Sequence, residues 1–271
     1  MPAARDQDGG ATALLFPFRG RLMLRDPVQP PTRPGPPEPS VWRWAAAAVH
    51  LFTALGAVCA LFAIHAVLDS RYEAAFVWLG IAFIIDGIDG TFARAVDVGR
   101  RLPDFSGEKL DLVVDYVTYV FVPTLALQLG GYLPGVWGGV LAGLILLSSL
   151  FHFGHLGSKA DDHSFVGFPA VWNVVAFYIF AFAPPGWVVS GLTLVCVGFT
   201  FVPMRWMHPM RVVQFRRVNI AMCLLWATAA IWTVATGFPA TAIALALLAF
   251  VALYSVGLSV LWPLIGGDAD R

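Results

Sequence analysis

Four aspartates lie in two short stretches of otherwise apolar sequence. Asp86 and Asp89 sit in IDGIDGTFAR (85–94), and Asp111 and Asp115 in GEKLDLVVD (107–115). Clustered carboxylates can hold a hard divalent ion of the Mg or Mn type through oxygen ligands, or take a proton from an attacking hydroxyl. Arg94 and Lys109 are the basic residues that adjoin them, too few to neutralise four acids, and two divalent ions suit that imbalance. At 100° per residue Asp86, Asp89, Gly90 and Ala93 share an arc of about 100°, while Asp111 and Asp115, as i and i+4, place their Cβ atoms about 6 Å apart. Gly90 and Ala93 remove bulk from the carboxylate face, which leaves room for a phosphorylated group near the backbone. Arg94 adds a forked donor set for phosphate oxygens.

The elements that must position these residues are membrane helices. Hydrophobic residues make up 58% of the 271-residue chain and charged ones 13%, with a mean hydropathy of +0.74, well beyond an ordinary soluble domain. A span needs roughly 20 apolar residues, and the pattern predicts an all-α polytopic membrane protein of about eight helices: 41–67, 74–96, 109–130, 134–156, 167–183, 187–204, 216–236 and 239–263. Of seventeen Asp and Glu residues, only Asp86, Asp89, Asp111 and Asp115 fall well inside these spans, all on the second and third. An Asp at the centre of a span costs about 2.5 to 3.5 kcal/mol, so four together need compensation. Counted back from Arg94 and Glu108, they lie about 10 to 12 Å along the helix axes, which predicts a hydrated polar pocket one to two turns below one membrane face.

That face is expected to be cytoplasmic. Sixteen of the seventeen Lys and Arg residues fall on one side of the predicted topology, leaving Arg71 on the other, and the positive-inside rule then puts both termini and the Arg94–Gly107 loop in the cytoplasm. Residues 1–40, with nine of the nineteen prolines, read as a mostly disordered tail before a membrane domain at 41–265; its LLFPFRGRLMLR stretch, with Arg19, Arg21 and Arg25, reads as an unstructured arm rather than a surface helix. A signal peptide is not expected, because the first long apolar segment starts only near Val41. Cys59, Cys196 and Cys223 all lie in spans without CxxC spacing, so neither disulfides nor a zinc site is expected. Zero formal net charge offers no case for nucleic-acid binding. DGIDG lacks the alternate-residue oxygens of an EF-hand, while the acids by themselves leave open a proton-coupled transporter with Asp86 and Asp115 as relay groups, a reading that the absence of an evident inverted repeat and the signature below make distant. Helix capping suits Asp104 or Asp161 better than the four deep aspartates. His152 and His155 read as interfacial residues, Asn173 as a pocket or helix–helix contact, and Lys159, Arg205, His208 and Arg211 as residues of the cytoplasmic mouth.

The pattern Asp86-xx-Asp89-Gly90-xx-Ala93-Arg94, then Gly107-xxx-Asp111-xxx-Asp115, resembles the signature of the CDP-alcohol phosphatidyltransferases at eight positions over about 30 residues. The resemblance implies transfer of the phosphatidyl group of CDP-diacylglycerol to an alcohol with release of CMP, at the cytoplasmic face, often by a homodimer. It makes Asp86, Asp89 and Asp111 metal ligands, and Asp115 the base and a further ligand. Gly90, Ala93, Arg94 and Gly107 then line the CDP-diacylglycerol site. Twelve residues separate Arg94 from Gly107 where most of the family has eight. That spacer, with GFPAVWN (167–173) and HPMRV (208–212), resembles the phosphatidylcholine-forming bacterial subgroup, which implies choline as acceptor and a bacterial inner membrane as location. Serine, inositol or glycerol phosphate is the alternative acceptor. A quaternary ammonium is held by aromatic faces, and Tyr116, Tyr119 and Trp172 are the candidate choline contacts.

Overall fold

The computed structural model describes residues 40–155, 165–202, 205–206 and 216–265. The N-terminal tail with its three arginines, Lys159, Asp161, Asp162, the HPMRV segment and the side chain of Arg205 lie outside the described residues.

Helix α1 (Ser40–Leu68) turns into α2 (Tyr72–Val96) at Asp69-Ser70, where Ser70 takes a left-handed conformation (φ 57°) and the Arg71 N–H returns to the Ala66 carbonyl at 2.8 Å. Helix α2 runs unbroken through IDGIDG and stops at Asp97, another left-handed residue (φ 52°), whose N–H bonds to the carbonyls of Ala93 and Arg94. A short α3 (Val98–Arg101) follows. Ser106 then starts α4 (Gly107–Asp115) by accepting the Lys109 N–H at 3.3 Å, so serine rather than Asp104 caps this helix.

The third predicted span is a continuous 23-residue helix, Gly107–Leu129, in three parts: α4, a π-helical stretch (Tyr116–Phe121) and α5 (Val122–Leu129). The widened turn begins immediately after Asp115 and changes the phase of everything beyond it. Next come α6 (Gly135–Gly154), α7 (Trp172–Phe182), α8 (Gly186–Thr200), α9 (Arg216–Thr236) and α10 (Ala242–Ile265). A two-residue ladder, β1 (Phe165–Val166) antiparallel to β2 (Arg205–Trp206), ties the segment before α7 to the one after α8; hydropathy gives no sign of it.

Helices occupy all eight predicted positions, and among the described residues five are long and apolar enough to cross a membrane: Val41–Leu68, Tyr72–Val96, Gly107–Leu129, Gly135–Gly154 and Arg216–Thr236. Trp172–Phe182, Gly186–Thr200 and the stretch of α10 with described side chains, Ala242–Leu258, are shorter. The fifth helix starts only at Trp172 because Gly167 (φ 83°) and Ala170 (φ 55°) hold the preceding GFPA segment out of helical geometry. Large apolar side chains such as Ile84, Leu147 and Leu253 remain exposed on the helix surfaces. A surface of that kind is suited to lipid rather than water, and the chain is a membrane protein.

Helix α1 packs most extensively on α2 and also on α4. Close approach to α4 depends on Gly56: a Cβ there would stand 2.5 Å from Val114 Cγ1. The main core includes Phe76, Phe177 and Phe180 with Phe238 packed on it, and Tyr178 crosses to α10 through a 3.0 Å hydrogen bond to the Leu248 carbonyl. A surface groove of about 360 Å³ lies by the α1–α2 turn, lined by residues including His65, Asp69, Arg71 and Trp78, and by none of the four aspartates.

Candidate metal and phosphate site

Three of the four aspartates form one cluster and the fourth stands beside it. One carboxylate oxygen from each of Asp86, Asp89 and Asp111 lies within 4.8 Å of the others. Asp115 stands close enough to Asp86 to interact with it, and its Oδ1 is shielded from solvent. Asp89 is the deepest at 7% exposure, while Asp86, Asp111 and Asp115 are half-buried.

Two hydroxyls stabilise the carboxylates of α2. Tyr119 donates to Asp86 Oδ2 at 2.6 Å, and Thr53, on α1, donates to Asp89 Oδ2 at 2.7 Å. Both bonds are short, as expected when the acceptor is charged. The family signature does not include Thr53, and α1 carries no acidic residue; Thr53 shows in the sequence as a polar residue one turn from His50 inside a long apolar run. A three-oxygen cluster of this size, built only of carboxylates, fits a hard divalent cation. Bringing several carboxylates together in a low-dielectric interior without such an ion would be costly.

The remaining signature residues divide between exposed and packed positions. Gly90 is half-buried, and a Cβ there would come within 3.3 Å of Arg94 Nη1. Arg94 is exposed, and its Nη2 donates to Thr91 Oγ1 at 3.2 Å along its own helix. Ala93 packs against a small cluster of Ala46, Val49 and Val98, so its small side chain also serves the α1–α2 contact. Gly107 faces α1, where a Cβ would stand 2.7 Å from His50 Cε1. The His50 ring in turn packs on Phe105, with centroids 4.4 Å apart.

The three aromatic candidates separate. Tyr119 reaches the aspartates through its hydroxyl. Tyr116 turns to α6, donating to the Leu146 carbonyl at 3.3 Å with its ring edge on Phe153. Trp172 is fully buried, and its Nε1 donates to Ser149 Oγ, also on α6, at 3.0 Å. Helix α7 does pack on the π-helical stretch, yet of the three only Tyr119 makes a hydrogen bond to a site carboxylate. His152 is buried at the end of α6, and Asn173 uses its side-chain oxygen on the Val174 N–H.

An acidic cluster on the second and third helices, held beside an arginine and two small residues on a membrane hairpin, defines a class. The sequence matches the CDP-alcohol phosphatidyltransferase family over residues 47–202. The chain belongs to that family. It is similar to a phosphatidylcholine synthase of Bradyrhizobium diazoefficiens, 44% identical over 203 residues that cover 74% of this chain and 75% of the relative. A phosphatidylcholine synthase of Pseudomonas aeruginosa is also 44% identical, over 178 residues, covering 66% of this chain and 75% of the relative. The one from Borreliella burgdorferi is 30% identical over 178 residues, covering 65% and 76% respectively.

Proposed function

We propose that this protein transfers the phosphatidyl group of CDP-diacylglycerol to choline, forming phosphatidylcholine and CMP. The observation that carries the reading is the convergence of Asp86, Asp89 and Asp111 within 4.8 Å on the hairpin that bears the whole family signature. The names of the relatives and the twelve-residue spacer support choline as the acceptor.

Asp86, Asp89 and Asp111, with Asp115 at their edge, would hold Mn or Mg, two ions by family resemblance. When bound, such ions offset negative charge on the diphosphate and on departing CMP. Asp115 takes the proton of the choline hydroxyl as that oxygen bonds to the lipid-bearing phosphorus and the bond from phosphorus to the CMP oxygen breaks, the electron pair leaving with CMP. Gly90, Ala93, Arg94 and Gly107 form the wall for the cytidine diphosphate, with the exposed Arg94 guanidinium exchanging its bond to Thr91 for phosphate oxygens. Tyr119, largely buried with its hydroxyl on Asp86, meets the choline ammonium with its ring.

The basic-residue asymmetry supports a site facing the cytoplasm with all eight helices crossing the membrane, and the bacterial relatives support an inner membrane. Family resemblance supports a homodimer. The test is CMP release by purified protein given CDP-diacylglycerol, Mn and a panel of alcohols. Choline is expected to outcompete serine, inositol and glycerol phosphate; turnover with one of these and none with choline would overturn the acceptor and leave the family chemistry standing.

A further inference from the structure

We propose that Thr53 is a positioning residue for the reaction, fixing the carboxylate of Asp89 in the orientation that metal binding requires. The inference rests on the reading that these aspartates hold a divalent ion. Thr53 lies on α1, thirty-six residues from Asp89, is 7% exposed, and donates to Asp89 Oδ2 at 2.7 Å.

Other threonines in the same helical bundle show what this side chain does when nothing else claims it. Thr118, Thr124, Thr200, Thr228, Thr233 and Thr236 each place the hydroxyl 2.7 to 3.2 Å from the carbonyl four residues back, the usual local acceptor in a helix. At Thr53 that carbonyl, Val49 O, is 3.3 Å away and the carboxylate is nearer. A hydroxyl has one proton to give. The shorter and charge-assisted bond takes it, so Thr53 is committed to Asp89.

The consequence for Asp89 is geometric. The terminal torsion of an aspartate is broad and soft, and a carboxylate that rotates freely spends part of its time with neither oxygen aimed at the cluster. A β-branched residue in a helix has few χ1 choices, so Thr53 is a stiff donor that holds Oδ2 and thereby the rotation of the group. The carboxylate keeps lone pairs for an ion, since ionised Asp offers about four acceptor positions. Helix packing protects the arrangement: Gly56, one turn along α1, lets Val114 of α4 come close, which draws α1 toward the helix carrying Asp111. Hydrogen bonds to metal-binding carboxylates of this kind are typically worth about 10 to 100-fold in affinity or activity.

The experiment uses full-length protein in nanodiscs, stripped with chelator and titrated with Mn²⁺ while the free-ion EPR signal is followed. Thr53→Val and Thr53→Ala should weaken Mn²⁺ binding by about 10 to 100-fold, with metal-free melting temperatures close to wild type, and Thr53→Ser should restore binding. The Mn²⁺ concentration for half-maximal CMP release should rise in proportion while the choline KM stays put. Should the Val variant not fold, the Ala variant carries the comparison. Wild-type Mn²⁺ affinity in a folded Val or Ala variant overturns the proposal, as does a Ser variant no better than Val. Asp89→Asn separates the two levels: if it binds Mn²⁺ like wild type, or if wild type shows no saturable binding, the metal reading fails and takes the proposal with it.

Discussion

Asp115 closes α4 at the start of the π-helical stretch, beside Asp86 yet outside the tightest trio of oxygens, a placement that suits a base better than a principal ligand. Asp115→Asn keeps the shape and removes the proton acceptor. Its turnover should fall by at least about 100-fold, the lower range for general-base catalysis, while EPR shows Mn²⁺ still bound; near-normal turnover would reassign the base. Tyr119 combines a hydrogen bond to Asp86 with an aromatic face, and two substitutions separate them. Tyr119→Phe loses only the hydroxyl and should lower kcat with the choline KM near wild type. Tyr119→Leu loses the ring as well and should raise the choline KM, since one cation–π contact is worth roughly 0.5 to 2 kcal/mol. Equal choline KM values for the two variants would remove Tyr119 from acceptor recognition.

Two contacts between helices set how closely α1 and α4 approach, and both rely on a missing side chain. Gly56 meets Val114, and Gly107 meets the edge of His50. Gly107→Ala adds a methyl 2.7 Å from His50 Cε1, too close unless the His50 ring turns against Phe105 or a helix shifts. Overpacking of this kind costs roughly 1 to 3 kcal/mol, so the variant should melt earlier and lose activity. His50→Ala in the same chain makes room. A double-mutant cycle on melting temperature should therefore show strong positive coupling; simple additivity would mean that the Gly107–His50 contact does not set the approach of α1 and α4. At the same end of α1, Arg101 of α3 donates to the Val96 carbonyl at the end of α2 and stacks its guanidinium 4.7 Å over Trp42.

For the molecule as a whole, orientation decides whether the site can meet a cytosolic nucleotide. The α1–α2 turn with the Asp69–Arg71 ion pair is at the opposite end of α2 from Arg94 and the Arg100–Arg101 pair. In a background with Cys59, Cys196 and Cys223 replaced, an impermeant thiol reagent applied to intact cells should modify a cysteine placed beside Arg71 and leave one at Pro103 untouched. Labelling at Pro103 instead would invert the topology. Removal of divalent ions should abolish CMP release, and Mn or Mg should restore it. Activity that survives exhaustive chelation would argue that the carboxylate cluster is not a metal site.

Much of the site is legible in the chain because it is local. The periods of one helix put Asp86 and Asp89 on a common face, and those of another do the same for Asp111 and Asp115, while their expense in an apolar environment marks them as functional. Composition is enough to identify a membrane protein. Tertiary structure decided the rest: that Thr53 and Tyr119 hold the α2 carboxylates, that Tyr116 and Trp172 turn to α6, that Gly107 abuts His50, and that short strands join the segments flanking α7 and α8. The reason is physical. Periodicity specifies which residues share a face, but a 2.7 Å bond between Thr53 and Asp89 depends on the rotation and separation of two helices, and these follow from how side chains such as Val114 fit against the bare backbone of Gly56.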